Sequence, residues 1–397
     1  MNSWIIVLGA ARSLARAELH ALLPSSLFVP LSGSCMFLEE SRDVSAETLQ
    51  EVAGGVVKIA EVVGEVAIVT PGELAEILLS SSIDQQKITF GVSRYDGDVV
   101  SLPWLREIKA QLSRAGKKAR FISSPDGILS SVVVQKEHMQ ELVVAKRGDH
   151  VLIGLTATVQ DFEAWNKRDY GRPYADPKSG MLPPKVARMA VNIALKNSEI
   201  FQGKPVQVFT ILDPFCGMGT ILAEALLRGC HVIGSDQSEE VIAKARKNLE
   251  WLTHDSRNRG TLIPGIELPS VQLLVSDATH VSHKLRPNSI DAIVTEPHMG
   301  TPALGERRVT DPEKIRNVVK GLEKLYIGAL RDWVDVLKPR GNVVIALPQF
   351  SLEGKTYFVK KVVDSCEKLG YTMGAGPIEY SRPQAVVRRQ FFVFTKN

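Results

Sequence analysis

Eight residues, DPFCGMGT at positions 213–220, connect two segments with different hydrophobic periods. Before them Val206, Val208 and Ile211 alternate with polar residues as in a strand, and residues 221–228 have the apolar pattern of a helix. A strand that turns through glycines into a helix presents free backbone N–H groups and a positive dipole end to a polar ligand. The stretch therefore predicts a nucleotide-type binding loop in an α/β fold.

Two common phosphate-binding motifs do not fit this loop. A P-loop needs Lys and Ser/Thr after its last glycine, but Thr220 and Ile221 follow Gly219. A dinucleotide fingerprint needs a third glycine where the helix packs on the sheet, and Leu222 stands there. We therefore expect a nucleotide that the loop does not hold by its phosphates.

Three further predicted strands also end in polar residues. HVIGSD ends at Asp236, VQLLV is followed by Asp277 and Ala278, and SIDAIV leads into TEPHMG at 295–300. Open α/β sheets bind ligands at the carboxyl ends of their strands, and a carboxylate about twenty residues after the loop can accept both ribose hydroxyls. This order of elements resembles the class I S-adenosylmethionine (SAM)-dependent methyltransferases. A doubly wound domain with another adenosine ligand is the structural alternative.

The form of the loop is similar to the branch of that class that methylates exocyclic amines of nucleobases. The resemblance implies a Rossmann-like catalytic domain with SAM as cofactor. It places the methionine part of SAM beside the loop, the ribose at Asp236 and the adenine amino group at Asp277. The expected cofactor-binding residues are Asp213, Phe215, Gly217, Gly219, Thr220, Asp236, Asp277, Ala278, Leu182 and Pro183.

A second signature covers residues 161–194, where RDYGRP and GMLPPKVA occur. This segment resembles the one that joins the RNA-binding and catalytic domains of THUMP-containing tRNA guanine-N2-methyltransferases, the family acting on guanosine 10. FGVSRYDGD, KKARFISSPDGILSSVVVQK and IGLTATVQD, between residues 90 and 161, are similar to its THUMP region. The first eighty-odd residues resemble the family only loosely. The resemblance implies tRNA as the substrate and leaves open whether a small activator subunit is required.

The pattern of elements, together with what the resemblance implies about the THUMP-like and methyltransferase parts, predicts a division into four. Residues 1–85 suit an α+β, ferredoxin-like domain, with strands at Ile5–Leu8, Met36–Leu38, Val56–Ile59 and Val66–Val69 and helices near 14–22 and 71–80. Residues 86–160 form a THUMP-like RNA-binding domain with a helix from Leu105 to Leu112, and 161–175 form an interdomain linker. Residues 176–397 form the methyltransferase domain, with a helix that starts at Pro183 and Pro184 and late strands at Asn342–Leu347 and Gln390–Phe394.

Charge is distributed unevenly, although the formal net charge is only +4. Residues 1–85 carry 4 basic and 11 acidic side chains, and residues 86–160 carry 11 and 7. A basic cluster on a small domain is usually a solvated face, and linker arginines can equally pair with nearby aspartates in a packed hinge. We expect phosphate contacts instead, and the candidate RNA-binding residues are Lys117, Lys118, Arg120, Lys136, Arg168 and Arg172.

Composition indicates a cytoplasmic enzyme. The four cysteines show no paired spacing, so neither a disulfide framework nor a zinc site is predicted. His280 and His283 are three residues apart, but no Cys or carboxylate pattern completes a tetrahedral metal set. The apolar run at the N-terminus is too short for a signal peptide or a membrane span. We expect a monomer without a metal ion.

The loop at 295–300 departs from the family. An exocyclic amine is a poor nucleophile, and the usual Asp-Pro-Pro-Tyr loop accepts its N–H bonds and stacks the base. A gapless match puts Glu296 in place of the Asp, keeps Pro297, and sets His298 and Met299 on the second Pro and the aromatic. A shifted match keeps an aromatic at His298 but loses the carboxylate. We prefer the gapless match, with Glu296, Pro297 and His298 as the catalytic residues.

The sequence thus predicts a SAM-dependent RNA methyltransferase that modifies the exocyclic N2 of a guanosine in tRNA. Two alternatives stay open among enzymes, an rRNA guanine-N2 and a DNA adenine-N6 methyltransferase. A third is a catalytically inactive RNA-binding protein that retains SAM. The longer Glu296 side chain makes this third alternative relevant, because a displacement of about 1 Å can cost on the order of a hundredfold in rate.

Overall fold

Two mixed sheets organise the chain. The computed structural model describes residues 2–23, 27–41, 44–175, 181–196, 208–254, 269–300, 311–381 and 387–397. Their contacts divide the chain into two units. The first lies within Met1–Arg12 and Leu23–Phe162, and the second within Ser13–Leu22, Glu163–Ile200 and Lys204–Asn397.

Sixteen strands are present in the described residues. They are β1 Asn2–Leu8, β2 Phe28–Pro30, β3 Cys35–Ser41, β4 Val56–Val66, β5 Lys87–Arg94, β6 Lys118–Phe121, β7 Gln140–Arg147, β8 His150–Val159, β9 Thr210–Asp213, β10 His231–Asp236, β11 Val271–Val275, β12 Ile290–Thr295, β13 Leu337–Leu352, β14 Lys355–Phe358, β15 Tyr371–Tyr380 and β16 Val387–Lys396. Two predicted strands, Val56–Ile59 and Val66–Val69, were wrong as separate elements, because β4 runs through as one strand and ends at Val66.

The described helices number eleven. They are α1 Arg12–Leu22, α2 Ala46–Val52, α3 Pro71–Ser80, α4 Leu102–Arg114, α5 Ser131–Lys136, α6 Phe162–Tyr170, α7 Pro184–Leu195, α8 Thr220–Leu227, α9 Glu239–His254, α10 Pro312–Val336 and α11 Lys360–Asp364. The predicted helices at 14–22, 71–80, 105–112 and from Pro184 are confirmed. Among these, no helix is both long and apolar enough to cross a membrane.

The first unit is α+β. Its eight strands follow the order β2-β3-β1-β4-β8-β7-β5-β6. Pairing is antiparallel except that β5 is parallel to both β6 and β7. Strands from both sides of the predicted boundary at residue 85 share this sheet, since β4 pairs with β8. The division into ferredoxin-like and THUMP-like domains stays a prediction.

The second unit has a doubly wound architecture. Its strand order is β11-β10-β9-β12-β13-β16-β15, with β14 paired to β13. The strands from β11 to β13 are parallel, and β16 and β15 are antiparallel additions. The chain order reverses between β9 and β12, which is the switch point where such sheets bind ligands. This confirms the predicted Rossmann-like fold.

The longest helix, α10, supports this switch point from one face of the sheet. Tyr326, Leu330 and Trp333 on α10 are fully buried in the main hydrophobic cluster of the unit. The same cluster contains Leu212 of β9 and Ile293 of β12. The two strands that flank the switch point are therefore fixed against one rigid helix.

Candidate functional site

The loop between β9 and α8 has the geometry of a ligand cradle. Gly217 and Gly219 both have positive φ, +47° and +81°, a conformation that side chains other than glycine rarely adopt. A Cβ added at Gly217 would meet no other heavy atom within 4 Å, so open space lies above the loop. Gly219 is the N-cap of α8, and no side chain caps this helix end. The backbone is thus arranged to approach a ligand closely.

Gly234 on β10 explains how Leu222 is tolerated where a dinucleotide fold has glycine. A Cβ at Gly234 would lie 2.4 Å from Leu222 Cδ1 and 2.9 Å from Leu273 Cδ2. The glycine that allows close packing therefore lies on the strand instead of on the helix, and α8 still packs closely on the sheet. Sequence reasoning missed this residue, although a glycine inside a strand signals close approach.

Asp213 joins the cradle to the neighbouring strand end. It is buried at 2% exposure and accepts hydrogen bonds from Thr295 Oγ1 at 2.7 Å and from the backbone N–H of Phe215 at 3.2 Å. Burial raises the pKa of Asp213 to about 7, against the effect of these two donors. Asp213 ends β9 and Thr295 ends β12, so this contact lies at the switch point.

The next two carboxylates lie at the ends of β10 and just beyond β11. Asp236 is half-buried and accepts a hydrogen bond of 2.9 Å from the N–H of Ser238. Asp277 is exposed and accepts hydrogen bonds from the Oγ1 and the N–H of Thr279, both at 2.7 Å, which lower its pKa. Both carboxylates therefore lie at the carboxyl edge of the sheet, and their role as cofactor ligands stays a prediction.

Aromatic packing fixes the backbone beside these groups. The carbonyl of Ala278, which is buried, accepts a hydrogen bond of 2.9 Å from Trp333 Nε1. The indole of Trp333 also meets the ring of Phe215 edge-on, with centroids 6.3 Å apart. One buried side chain of α10 thus holds both the residue after Asp277 and the aromatic of the cradle.

The remaining predicted cofactor residues lie at helix starts. Leu182 is buried and Pro183 is the N-cap of α7, where no side chain caps the helix. Thr220 is the first residue of α8, and its Oγ1 accepts a hydrogen bond of 2.6 Å from Arg172. Asn248 of α9 donates to the carbonyl of Met218 at 3.0 Å and so supports the cradle from behind.

The loop after β12 has one carboxylate and one exposed ring. Glu296 forms an ion pair with Arg389 of β16, and the two side chains are 15% and 12% exposed. Pro297 is buried and Met299 is half-buried, whereas His298 is exposed. The carbonyl of His298 accepts a hydrogen bond from Tyr326. The loop backbone is thus anchored while the imidazole faces outward, which suits stacking on a base.

The two linker arginines have a different environment from the one expected. Arg168 is buried and forms an ion pair of 2.8 Å with Glu224 of α8, and Arg188 of α7 pairs with the other oxygen of Glu224. The guanidinium of Arg168 also lies 4.1 Å from the ring centroid of Trp165. Arg172 is buried too, beside Thr220. Both guanidinium groups are thus used within the second unit, although they bind Glu224 and Thr220, which are not the nearby aspartates of the packed-hinge alternative.

The basic residues of the first unit divide into two groups. Lys117 donates to the carbonyls of Ser82, Ile83 and Gln85 at 2.8–3.0 Å, so its ammonium is already used within the fold. The other three candidates are exposed, and they are Lys118, Arg120 and Lys136. Arg120 pairs with Glu137 on the surface, and Lys136 lies 5.8 Å from the ring centroid of Phe162.

Metal-binding groups are dispersed in the part of the chain that the structure describes. There, no three His, Cys, Asp or Glu side chains come together to hold an ion. The rings of His280 and His283 lie 5.5 Å apart, and the four cysteines are free and buried.

Comparison with known proteins agrees with this geometry. Residues 207–381 match a family model described as a methyltransferase domain. The crystal structure of TrmN from Thermus thermophilus matches with a TM-score of 0.53 and 18% identity, and the match covers 100% of each chain. At that identity the likeness concerns the fold alone. The domain match confirms the prediction of a methyltransferase that uses SAM as its methyl donor.

Two curated archaeal proteins are similar in sequence, and both are named tRNA (guanine(10)-N2)-dimethyltransferase. The chain is 30% identical over 183 residues to the Pyrococcus abyssi protein, covering 46% of this chain and 42% of the relative. It is 26% identical over 294 residues to the Methanothermobacter thermautotrophicus protein, covering 74% and 72%. The first of these alignments therefore spans less than half of the relative's length.

Proposed function

We propose that this chain, whose residues 207–381 match a methyltransferase domain, methylates the exocyclic N2 of a guanosine in tRNA. SAM is the methyl donor, and position 10 is the proposed site because both curated relatives are named for guanine 10. The proposal includes recognition of tRNA by the first unit, with a THUMP-like part within residues 86–160.

The hydrogen bond between Thr295 and Asp213 carries this proposal. It joins the loop proposed for the SAM methionine to the loop proposed for the acceptor base. Methyl transfer needs both reactants within contact distance and aligned, and a fixed relation between their loops supplies much of that ordering. The next residue after Thr295 is the carboxylate of Glu296, at the same edge of the sheet.

In the proposed mechanism Glu296 accepts the N–H bonds of the guanine amine. A carboxylate is a strong acceptor for such bonds and aims the nitrogen lone pair at the sulfonium methyl group. His298 stacks on the base, since its ring is exposed and its carbonyl is anchored by Tyr326. Pro297, which is buried, fixes the turn between them. SAM would supply an electrophilic methyl group, so these residues have to orient the acceptor amine, and Glu296 takes up the proton that the nitrogen releases as its bond to the methyl carbon forms.

For tRNA binding we propose the exposed basic side chains of the first unit. Lys118, Arg120 and Lys136 are accessible to phosphates. Lys117 is left out because three carbonyls already hold its ammonium. Arg168 and Arg172 are left out because they are buried within the second unit.

Methylation of unmodified tRNA transcripts by the purified protein tests the function. We expect N2-methylguanosine, which nucleoside mass spectrometry distinguishes from its dimethylated form and from N6-methyladenine. Glu296→Gln keeps the side-chain length but offers an NH2 group toward the amine, so we expect methyl transfer to fall about a hundredfold. SAM binding, measured by calorimetry, should stay nearly unchanged.

Three outcomes contradict the proposal. N6-methyladenine as the product would point to a different base. Full activity of Glu296→Gln would remove the carboxylate from the mechanism. SAM binding without methylation of any RNA would leave the alternative of an RNA-binding protein that retains the cofactor.

A further inference from the structure

Antiparallel strand β16 extends past the carboxyl end of β12. Thr295, the last residue of β12, is in register with Ile345 of β13. Strand β13 continues beyond that point, and its residue Pro348 is in register with Arg389 of β16. Arg389 therefore lies beyond the strand end from which the loop with Glu296 starts. This placement depends on the unusual length of β13, which has 16 residues.

Arg389 and Glu296 form a largely buried ion pair between the guanidinium Nε and one carboxylate oxygen. Their side chains are only 12% and 15% exposed, so water screens the pair weakly. Charge-assisted hydrogen bonds of this kind are about twice as strong as neutral ones and fix the geometry of both partners. The pair joins residues 93 positions apart in the chain.

We propose that Arg389 is the positioning residue that lets a glutamate act where related loops have an aspartate. The inference rests on the proposed function, in which Glu296 accepts the amine N–H bonds. Arg389 acts through Glu296 and does not itself touch the substrate.

The physical need for such a residue follows from side-chain length. Glutamate has one more methylene and one more rotatable bond than aspartate, so its carboxylate samples more positions. A cation that binds one side of the carboxylate removes this freedom. A carboxylate offers about four lone-pair sites on two oxygens, so it can accept from a guanidinium and from an amine together. Arg389 thus converts a mobile carboxylate into a directed acceptor.

The neighbouring Arg388 provides a matched control. It stands one residue earlier on β16, and consecutive strand residues point to opposite faces. Its side chain is 45% exposed and pairs with Glu379 on the adjacent strand β15. Removing either arginine costs the same charge on the same strand, but only Arg389 contacts Glu296.

The experiment measures the single-turnover rate of methyl transfer to tRNA, with the enzyme saturated by SAM and in excess over tRNA. For Arg389→Met we expect a rate about 100-fold lower, with SAM affinity close to wild type and a lower melting temperature, because the largely buried Glu296 carboxylate loses its partner. The rate of Arg389→Lys should be about tenfold higher than that of Arg389→Met, because lysine retains a cation, but it should stay below wild type because lysine lacks the planar guanidinium. Arg388→Met should stay within about twofold of wild type.

A double-mutant cycle separates positioning from a general structural effect. Glu296→Asp alone should slow methyl transfer, because the shorter side chain cannot reach both Arg389 and the amine. In the Arg389→Met background the fold reduction in rate caused by Glu296→Asp should be at least about fivefold smaller, because the ion pair is already broken. Equal costs in both backgrounds would overturn the proposal, as would an Arg389→Met rate within about threefold of wild type.

Failure of the proposed function gives a different result. Wild-type protein that transfers no methyl group to tRNA would overturn the function and the positioning role together, before any variant is made. An active wild type with an uncoupled Arg389 would overturn only the positioning role. If Arg389→Met loses SAM binding or does not fold, Arg389→Lys and its cycle with Glu296→Asp give the decision by the same criteria.

Discussion

Thr295 Oγ1 donates a hydrogen bond of 2.7 Å to Oδ1 of Asp213, a residue 82 positions earlier in the chain. Both groups are buried at the ends of neighbouring parallel strands. The bond therefore couples the conformation of the cradle at residues 213–220, proposed to bind the cofactor, to that of the loop that carries Glu296. A change at either strand end should be felt at the other.

The first prediction concerns the proton on Asp213. Burial raises the pKa of this carboxyl to about 7, from an ordinary value of 3.8. The stabilisation that comes from keeping this carboxyl protonated in the folded state is therefore complete below pH 3.8. It is lost from the free energy of unfolding as the pH rises through about 7. Asp213→Asn removes that dependence. Between pH 5 and pH 8 we expect the free energy of unfolding of the variant to rise relative to wild type, by up to about 3 kcal/mol.

Urea unfolding of both proteins without ligand measures this difference. Gln272→Ala, an exposed change on β11 that alters no titratable group, serves as the control and should give a constant offset from wild type at all pH values. A constant offset for Asp213→Asn as well would mean that this carboxyl is ionised throughout the range.

The second prediction concerns SAM. The Asp236 carboxylate should accept hydrogen bonds from the ribose, and Asp236→Ala should weaken binding by about 1.5–3 kcal/mol, as expected for a charged hydrogen bond. Isothermal titration calorimetry with SAM and with its demethylated product measures the change. Absence of SAM binding by the unaltered protein would refute the cofactor site. Unchanged SAM affinity in the variant would show that the ribose does not bind at Asp236.

A third prediction separates surface lysines from structural ones. Neutralising Lys118 and Arg120 should weaken tRNA binding and lower the log–log salt slope by roughly one unit for each lost phosphate contact. Lys117→Met is the matched comparison, because its ammonium binds three carbonyls. It should lower the melting temperature and leave the salt slope unchanged. An unchanged slope for the Lys118 and Arg120 variant would make that cluster an ordinary solvated face.

The fourth prediction tests the packing of α8 on the sheet. Gly234→Ala should destabilise the protein by about 1–3 kcal/mol, since its Cβ would overlap Leu222 and Leu273. Leu222→Ala should lower the free energy of unfolding less in the Gly234→Ala protein than in wild type, because the shorter side chain relieves the overlap. Gly321→Ala, at an exposed helix position with no neighbour within 4 Å, should stabilise by about 0.5–1 kcal/mol. Chemical denaturation of wild type and the four variants measures these differences, and fully additive effects at 222 and 234 would contradict the packing argument.

The features that the sequence predicted well are local ones. The cradle between β9 and α8 depends on two glycines, one and three residues before the first residue of α8, and Asp236 directly ends its strand. The predicted helix at 71–80 is local in the same sense, because α3 starts at Pro71 directly after its N-cap Thr70, which forms a capping box with Glu73. Such features depend on neighbours within one or two turns, which a sequence displays directly.

The features that the sequence did not predict depend on distant partners. Arg389 reaches Glu296 only because β13 and β16 extend beyond β12. The linker around Arg168 has a composition suited to RNA binding. The guanidinium of Arg168 nevertheless pairs with Glu224, which lies 56 residues later in the chain. In the apolar strand pattern of residues 387–396 two adjacent arginines are unusual, and that was the available signal for Arg389.

The first helix of the chain belongs by its contacts to the second unit. Asn192 donates to Glu18 at 2.6 Å and accepts from Arg228 at 2.8 Å, and all three side chains are buried. A gene split at residue 162 would therefore yield a C-terminal fragment without the carboxylate that belongs to this network. Two such fragments could restore this network only if the helix of the N-terminal fragment packed into the C-terminal fragment. The C-terminal fragment therefore needs residues 13–22 to form its complete core.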